Sequence, residues 1–263
     1  MTRDELLERV ITRARADERV LCLLLGGSLG RGEGDAWSDL DLIAVVAPAD
    51  HGGFFAGARS WLEAAASLIH VLGHPPGVPI LTVVTVDWLR CDLTVTVPGH
   101  FPGAKGSLRV LHDPAGLAAS LPDELPPGAF NAAAALAIVG EFIRVLGLST
   151  VAAGREEWLT AVTGFGLLRG QLIALMIEQL ALPYRPGALR LNPLLPARDL
   201  ALLQSLPAPI PERGSVLSAN NQIAGLFIPR AREALQGDFP EVLWDRTQAH
   251  LARELGPDWR LVS

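Results

Sequence analysis

The chain has 263 residues, enough for one large domain or two modest ones, each able to bury a core. Its composition, 49% apolar and 19% charged, is that of a globular rather than a disordered chain, and the net charge of −6 with no basic stripe makes it a poor grip for a polynucleotide backbone. No uninterrupted apolar run approaches the roughly 18 residues a membrane span needs, so no membrane partner is expected.

The N-terminus, MTRDELLERV, is charged and helical in pattern, unlike a signal peptide. Residues 2–17 read as an amphipathic helix. Thr2 is its cap, Glu5 completes a capping box, and Leu6, Val10 and Ala14 form the buried stripe. The stretch 21–46, LCLLLGGSLGRGEGDAWSDLDLIAVV, reads as strand, glycine-rich turn, irregular crossing and strand. Residues 52–70 carry Phe54, Ala58, Trp61, Leu62, Ala65 and Ile69 at helical spacing, with Trp61 read as core. His70 and His74 are read as residues of the loop that follows, because Gly73 and Pro75-Pro76 break a helix there. Residues 80–86 and 88–97 read as strands. In the second, Arg90, Asp92, Thr94 and Thr96 share one face, while Cys91, Leu93, Val95 and Val97 share the apolar one. A short strand over 107–111 ends in His112-Asp113-Pro114, with Asp113 a turn residue. Cys22 and Cys91 fall within strands and read as buried thiols of a reducing compartment, which makes a cytoplasmic protein the expectation.

The stretch 121–128, LPDELPPG, marks a boundary. Residues 1–125 hold 10 basic and 16 acidic side chains, and the remainder 12 of each. Beyond the boundary the pattern is helical. Residues 129–147 carry Phe130, Ala134, Ile138, Phe142 and Val145, and residues 155–182 carry Trp158, Val162, Phe165, Leu168, Leu172, Leu175 and Met176. Shorter helices are expected over 197–206, 215–236 and 239–255. The fold class is therefore α+β: a mixed sheet with flanking helices over 1–125, then a helical bundle over 126–263.

The chemistry concentrates between Gly26 and Asp41. Side chains two apart on a strand share a face, so Asp39 and Asp41 stand together, with Ile43 and Val45 continuing inward. Neighbouring carboxylates repel unless a cation lies between them, and oxygen-only ligands suit Mg²⁺. The Gly26-Gly27-Ser28 turn offers backbone N–H groups and a hydroxyl to phosphate oxygens. This is not a Walker A loop: no Gly-Lys-Ser/Thr follows, and the one lysine is Lys105. Nor does an acid follow at the distance a dinucleotide-binding fingerprint requires. An Asp-x-Asp pair or a glycine turn taken singly is commonplace on protein surfaces. The combination at this spacing points to metal-assisted nucleotidyl transfer.

Gly27-Ser28, ten intervening residues, then Asp39-Leu40-Asp41, with Ser38 before and Leu42 after, resembles the signature of the DNA polymerase β-like nucleotidyltransferases. The nearest look is to small antibiotic enzymes of the aminoglycoside and lincosamide resistance type. The signature covers residues 26–42, and the order of elements extends the likeness over most of the chain. The resemblance implies Mg²⁺ and an NTP, expected to be ATP, with transfer of a nucleoside monophosphate to a hydroxyl of a small molecule. It implies a third carboxylate on a later strand, for which Asp92 is the best-placed residue, so that Asp39, Asp41 and Asp92 are the expected metal-binding and catalytic set. Gly27 and Ser28 would then orient the departing phosphates. Arg31, three residues after Ser28, is favoured over Arg169 to steady the triphosphate. The family's helical half closes one side of the cleft and binds the acceptor. Glu141, Glu156, Glu157 and Glu178 stand beside Asp92 as candidate general bases or acceptor-binding residues, though each reads more readily as a solvated surface acid. Two other readings remain open: a protein or RNA acceptor, as in toxin–antitoxin enzymes, and a nucleotide-binding scaffold without catalysis. Acceptor, base preference and oligomeric state are not written in the sequence.

Overall fold

A computed structural model describes residues 1–73, 79–184 and 190–259. His74 therefore lies outside the described residues. The chain divides into two compact units, Met1–Leu125 and Pro126–Ser263. The architecture is α+β: a mixed six-stranded sheet with flanking helices, followed by a helical region.

Unit 1 begins with α1 (Arg3–Arg15). Glu5 N–H donates to Thr2 Oγ1 and Thr2 N–H to Glu5 Oε2, so the capping box forms as the sequence predicts. Leu6, Leu7, Val10, Ile11 and Ala14 are buried. The strands are β1 (Val20–Leu25), β2 (Leu40–Val46), β3 (Leu68–Gly73), β4 (Ile80–Thr85), β5 (Arg90–Thr96) and β6 (Arg109–His112). Their order across the sheet is β3-β4-β5-β2-β1-β6, and β2 and β5 run parallel while the other pairs are antiparallel.

β2 shows why a nearly continuous apolar run was needed. Leu40, Leu42, Ala44 and Val46 pack on one face with α1, α3 (His51–Ala56) and α4 (Ala58–Glu63). Ile43 and Val45 pack on the other with Cys22, Leu24, Leu108 and Leu121. A strand covered on both faces reads as an apolar block rather than an alternation. Asp41 interrupts that block at the strand's mouth. The strand β5 alternates as expected, with Cys91, Leu93 and Val95 buried.

The helix expected over 52–70 is corrected. It breaks at Gly57 into two short helices, and Ile69 is not on a helix at all but exposed on the edge strand β3. Three glycines, Gly52, Gly53 and Gly57, weaken helical propagation there. The β-branched and apolar Leu68–Leu72 segment pairs instead with β4, which also takes His70 out of the expected loop. Trp61 is core, its ring tilted against Phe54 at 5.6 Å between centroids.

Unit 2 holds α5 (Ala132–Gly147), α6 (Ser149–Gly154), α7 (Trp158–Gln179), α8 (Leu191–Leu194), α9 (Ala197–Ser205), α10 (Arg213–Leu235) and α11 (Glu241–Leu255). Phe142 of α5 and Phe227 of α10 stack at 3.7 Å within a core that includes Phe165, Leu168, Leu172, Leu175, Met176 and Trp244. Glu156 and Glu157 precede α7 instead of forming its first turn: Glu156 has φ +57° and Glu157 is the cap residue. Two helical stretches, Ala132–Gly154 and Trp158–Gln179, are long and apolar enough to cross a membrane by length and composition alone. Counting only uninterrupted runs misses the first because Glu141 and Arg144 divide it. Both supply residues to the unit 2 core.

Candidate active site

The parallel pairing of β2 with β5 sets Leu40 opposite Cys91 and Asp41 opposite Asp92. Two carboxylates 51 positions apart in sequence thus become lateral neighbours on the sheet. Across β5's other edge, Thr82 of β4 is the register partner of Asp92. The electrostatics follow from this placement. The Asp41 carboxyl is pushed up from 3.8 to about 6, first by burial and then by the charges of Asp39 and Asp92; Arg31 and Arg90 oppose the shift.

The glycine turn is built against the same carboxylate. β1 ends at Leu25, and Gly27–Gly30 form a single helical turn, α2. Gly27 has φ +60°, and a Cβ there would sit 1.7 Å from Asp41 Oδ2. The turn is held to β2 by Gly26 N–H donating to the Asp41 carbonyl at 2.7 Å. Gly30 packs equally close, since a Cβ would lie 2.4 Å from the Leu25 carbonyl oxygen and 2.8 Å from that of Ser107. Residues heading a helical turn have N–H groups without an intrahelical partner; the first bond of this turn is Gly30 N–H to the Gly26 carbonyl, so these groups are those of Gly27, Ser28 and Leu29.

The crossing from α2 to β2 is tied down by Ser38. Ser28 Oγ donates to Ser38 Oγ at 2.9 Å, Ser38 Oγ donates to Asp35 Oδ1 at 3.0 Å, and Asp35 N–H donates back to Ser38 Oγ at 3.0 Å. From α1, Arg3 Nη1 donates to the carbonyls of Asp35, at 2.6 Å, and Ser38, at 3.2 Å. Arg31 Nε pairs with Glu33 Oε2 at 3.0 Å.

Asp39 lies one residue ahead of β2. Its Oδ2 is 3.5 Å from Arg90 Nη2, which also donates to the Trp37 carbonyl at 3.3 Å. Arg90, at the start of β5, thus pairs with an acid of the segment that leads into β2. Nothing in the spacing shows this contact, or that of Arg3, because both depend on which strands become neighbours.

Oxygen-only carboxylates whose mutual charge lifts Asp41 suit a hard cation, which takes one or two carboxylates and fills its remaining positions with water and phosphate. Among the described residues no three His, Cys, Asp or Glu side chains are gathered closely enough to hold a metal by themselves. Asp41 and Asp92 are the adjacent pair; Asp39 is engaged by Arg90.

Two of the candidate glutamates of unit 2 have partners within that unit. Glu141 accepts both arms of the Arg144 guanidinium at 2.7 Å, and Glu178 accepts from Asn131 N–H at 2.9 Å. Arg169 is exposed on α7. Asp113 accepts from the N–H groups of Leu117 and Ala118, each at 2.8 Å, which is the turn role expected of it.

No protein-family model matches the chain, and no curated protein does. Among solved structures it is similar to an aminoglycoside 6-adenyltransferase from Bacillus subtilis, at 15% identity and a TM-score of 0.39, over 93% of this chain and 95% of that one.

Proposed function

We propose that this protein is a nucleotidyltransferase that moves a nucleoside monophosphate from an NTP, expected to be ATP, to a hydroxyl of a small molecule. The observation that carries the reading is the register pairing of Asp41 with Asp92 beside the Gly27–Ser28 turn. The residue pattern of 26–42 supports it independently.

Gly27 and Ser28 receive the phosphates through their N–H groups and hold the chain of phosphorus atoms in line with the acceptor. Arg31 adds positive charge on the same side. Asp41 and Asp92 would hold Mg²⁺, with Asp39 a further candidate ligand; the ion would supply neutralisation of carboxylate and phosphate charge. The acceptor hydroxyl attacks the α-phosphorus, the bond from that phosphorus to the bridging oxygen breaks, and pyrophosphate leaves. Asp92 accepts the hydroxyl proton. The acidic balance of residues 1–125 suits a neutral or cationic acceptor such as an aminoglycoside or a lincosamide better than RNA.

The test is pyrophosphate release from each of the four NTPs with Mg²⁺, with and without a panel of aminoglycosides, lincosamides and other polyols. Release that depends on one acceptor supports the reading. Folded protein that binds NTP yet releases no pyrophosphate with any acceptor contradicts it.

A further inference from the structure

Two tryptophans stand in solvent at one end of the sheet. Trp37 is 86% exposed and Trp88 75%. Each lies three residues ahead of its strand's member of the Leu40–Cys91 register pair, so both belong to the mouth of the parallel strands where Asp39, Asp41 and Asp92 begin. Large aromatic groups gain most from burial, and an indole left in water at such a place calls for a use.

Among the described residues neither indole stacks on another aromatic. What the fold fixes is the backbone beneath them. Trp37 N–H donates to Asp35 Oδ1 at 2.9 Å, and its carbonyl accepts from Arg90 Nη2 at 3.3 Å. Trp88 closes the β4–β5 hairpin, donating to the Thr85 carbonyl at 2.9 Å, while Thr85 N–H donates to the Leu89 carbonyl at 3.0 Å. Trp88 does so at φ +60°, a region that bulky side chains rarely adopt and that glycine or asparagine would occupy more easily. Strained residues concentrate at ligand and active sites, and this one presents an exposed aromatic at the end of the sheet where Asp41 and Asp92 pair.

We infer that Trp37 and Trp88 form an aromatic platform for the nucleobase of the NTP whose phosphates engage the Gly27–Ser28 turn. This rests on the nucleotidyltransferase reading and goes beyond it, because it assigns the base a place on this chain. Every nucleobase has a π-face, and stacking is tolerant of base identity. The four NTPs are therefore expected to bind within a few-fold of one another.

The experiment is calorimetric titration of the full chain, with Mg²⁺ present, using ATP and inorganic tripolyphosphate as the two probes. The variants are Trp37→Ala, Trp37→Phe, Trp88→Asn and Trp88→Phe; asparagine is chosen at position 88 because it accommodates the positive φ and keeps the hairpin folded. Loss of a base stack weakens binding by roughly tenfold or more. Trp37→Ala and Trp88→Asn should weaken ATP by that factor, leave tripolyphosphate unchanged, and be largely rescued by phenylalanine. Equal weakening of both probes would mean that the tryptophans only position the loops, and unchanged ATP affinity would mean that no base lies there; either overturns the inference and leaves the reaction standing. Wild-type protein that binds neither probe overturns the inference and the nucleotidyltransferase reading together.

Discussion

Gly27 and Asp41 share one space: the carboxylate Oδ2 lies where a Cβ on residue 27 would be, 1.7 Å from its ideal position. The turn that would receive phosphates and the acid at the mouth of β2 are thus fitted to each other directly, with no intervening side chain. A methyl group at residue 27 must displace Asp41 and also endure φ +60°.

Gly27→Ala is therefore expected to cost about 2 kcal/mol of stability and to abolish transfer. Gly32→Ala is the control. Gly32 also has a positive φ, +73°, but a Cβ there meets nothing within 4 Å. Its cost should be only the conformational part, about 1 kcal/mol, with transfer retained. Urea denaturation of both variants, with Gly27→Ala/Asp41→Ala closing a double-mutant cycle, separates strain from collision.

Asp41 makes stability depend on pH in a direction opposite to that of a salt-bridged acid. Its carboxyl rises from an ordinary 3.8 to about 6 in the folded chain. The folded state binds the proton more tightly than the unfolded one, so this contribution is complete below 3.8 and is lost as pH rises through 6. In chelator, the stability of wild type minus that of Asp41→Asn should fall across this window and be level above it. A flat difference would show that the carboxyl is not perturbed.

Trp88 stores backbone strain at an exposed site. Trp88→Gly should raise stability by about 1 kcal/mol, because strain relieved at φ +60° exceeds the entropy that glycine adds to the unfolded chain. Thermal denaturation reads this as a higher Tm. A lower Tm would mean that the indole is held by contacts that compensate the strain.

In unit 2 the carboxylate of Asp199 is 3% exposed and paired with the guanidinium of Arg230, whose Nη1 also donates to Gln179 Oε1 at 2.8 Å. Removing the Arg230 cation leaves the buried charge with only the exposed Arg198 guanidinium, 3.9 Å away. Arg230→Met is expected to cost about 3 kcal/mol, and Arg230→Met/Asp199→Leu much less, by chemical denaturation.

The parts of this fold that were legible are those written in local spacing. Thr2 and Glu5 announce a cap, and Cys91, Leu93 and Val95 alternate with Asp92 as half-buried strands do. The helix start at Trp158, later than expected, and the break at Gly57 were not legible, because backbone conformations at Glu156 and Gly57 depend on how neighbouring segments close. At the site, the sequence brings Asp39 and Asp41 together by adjacency. Asp92 becomes a neighbour of Asp41 only through the parallel pairing of β5 with β2, and Arg90 and Arg3 meet their partners through that same assembly. Charge and periodicity carry no record of which strands will lie side by side.

The paired acids of β2 and β5 are central to the proposed nucleotidyl transfer. The most direct measurement uses an α-labelled NTP with Mg²⁺ and an accepting small molecule, following label and one nucleoside monophosphate of added mass on the acceptor. Wild type should transfer the label. Asp92→Asn should be slower by roughly a thousandfold while remaining folded and able to bind NTP, because the proton acceptor and one carboxylate are lost together. Label transfer by Asp92→Asn at a rate near that of wild type would contradict the claim.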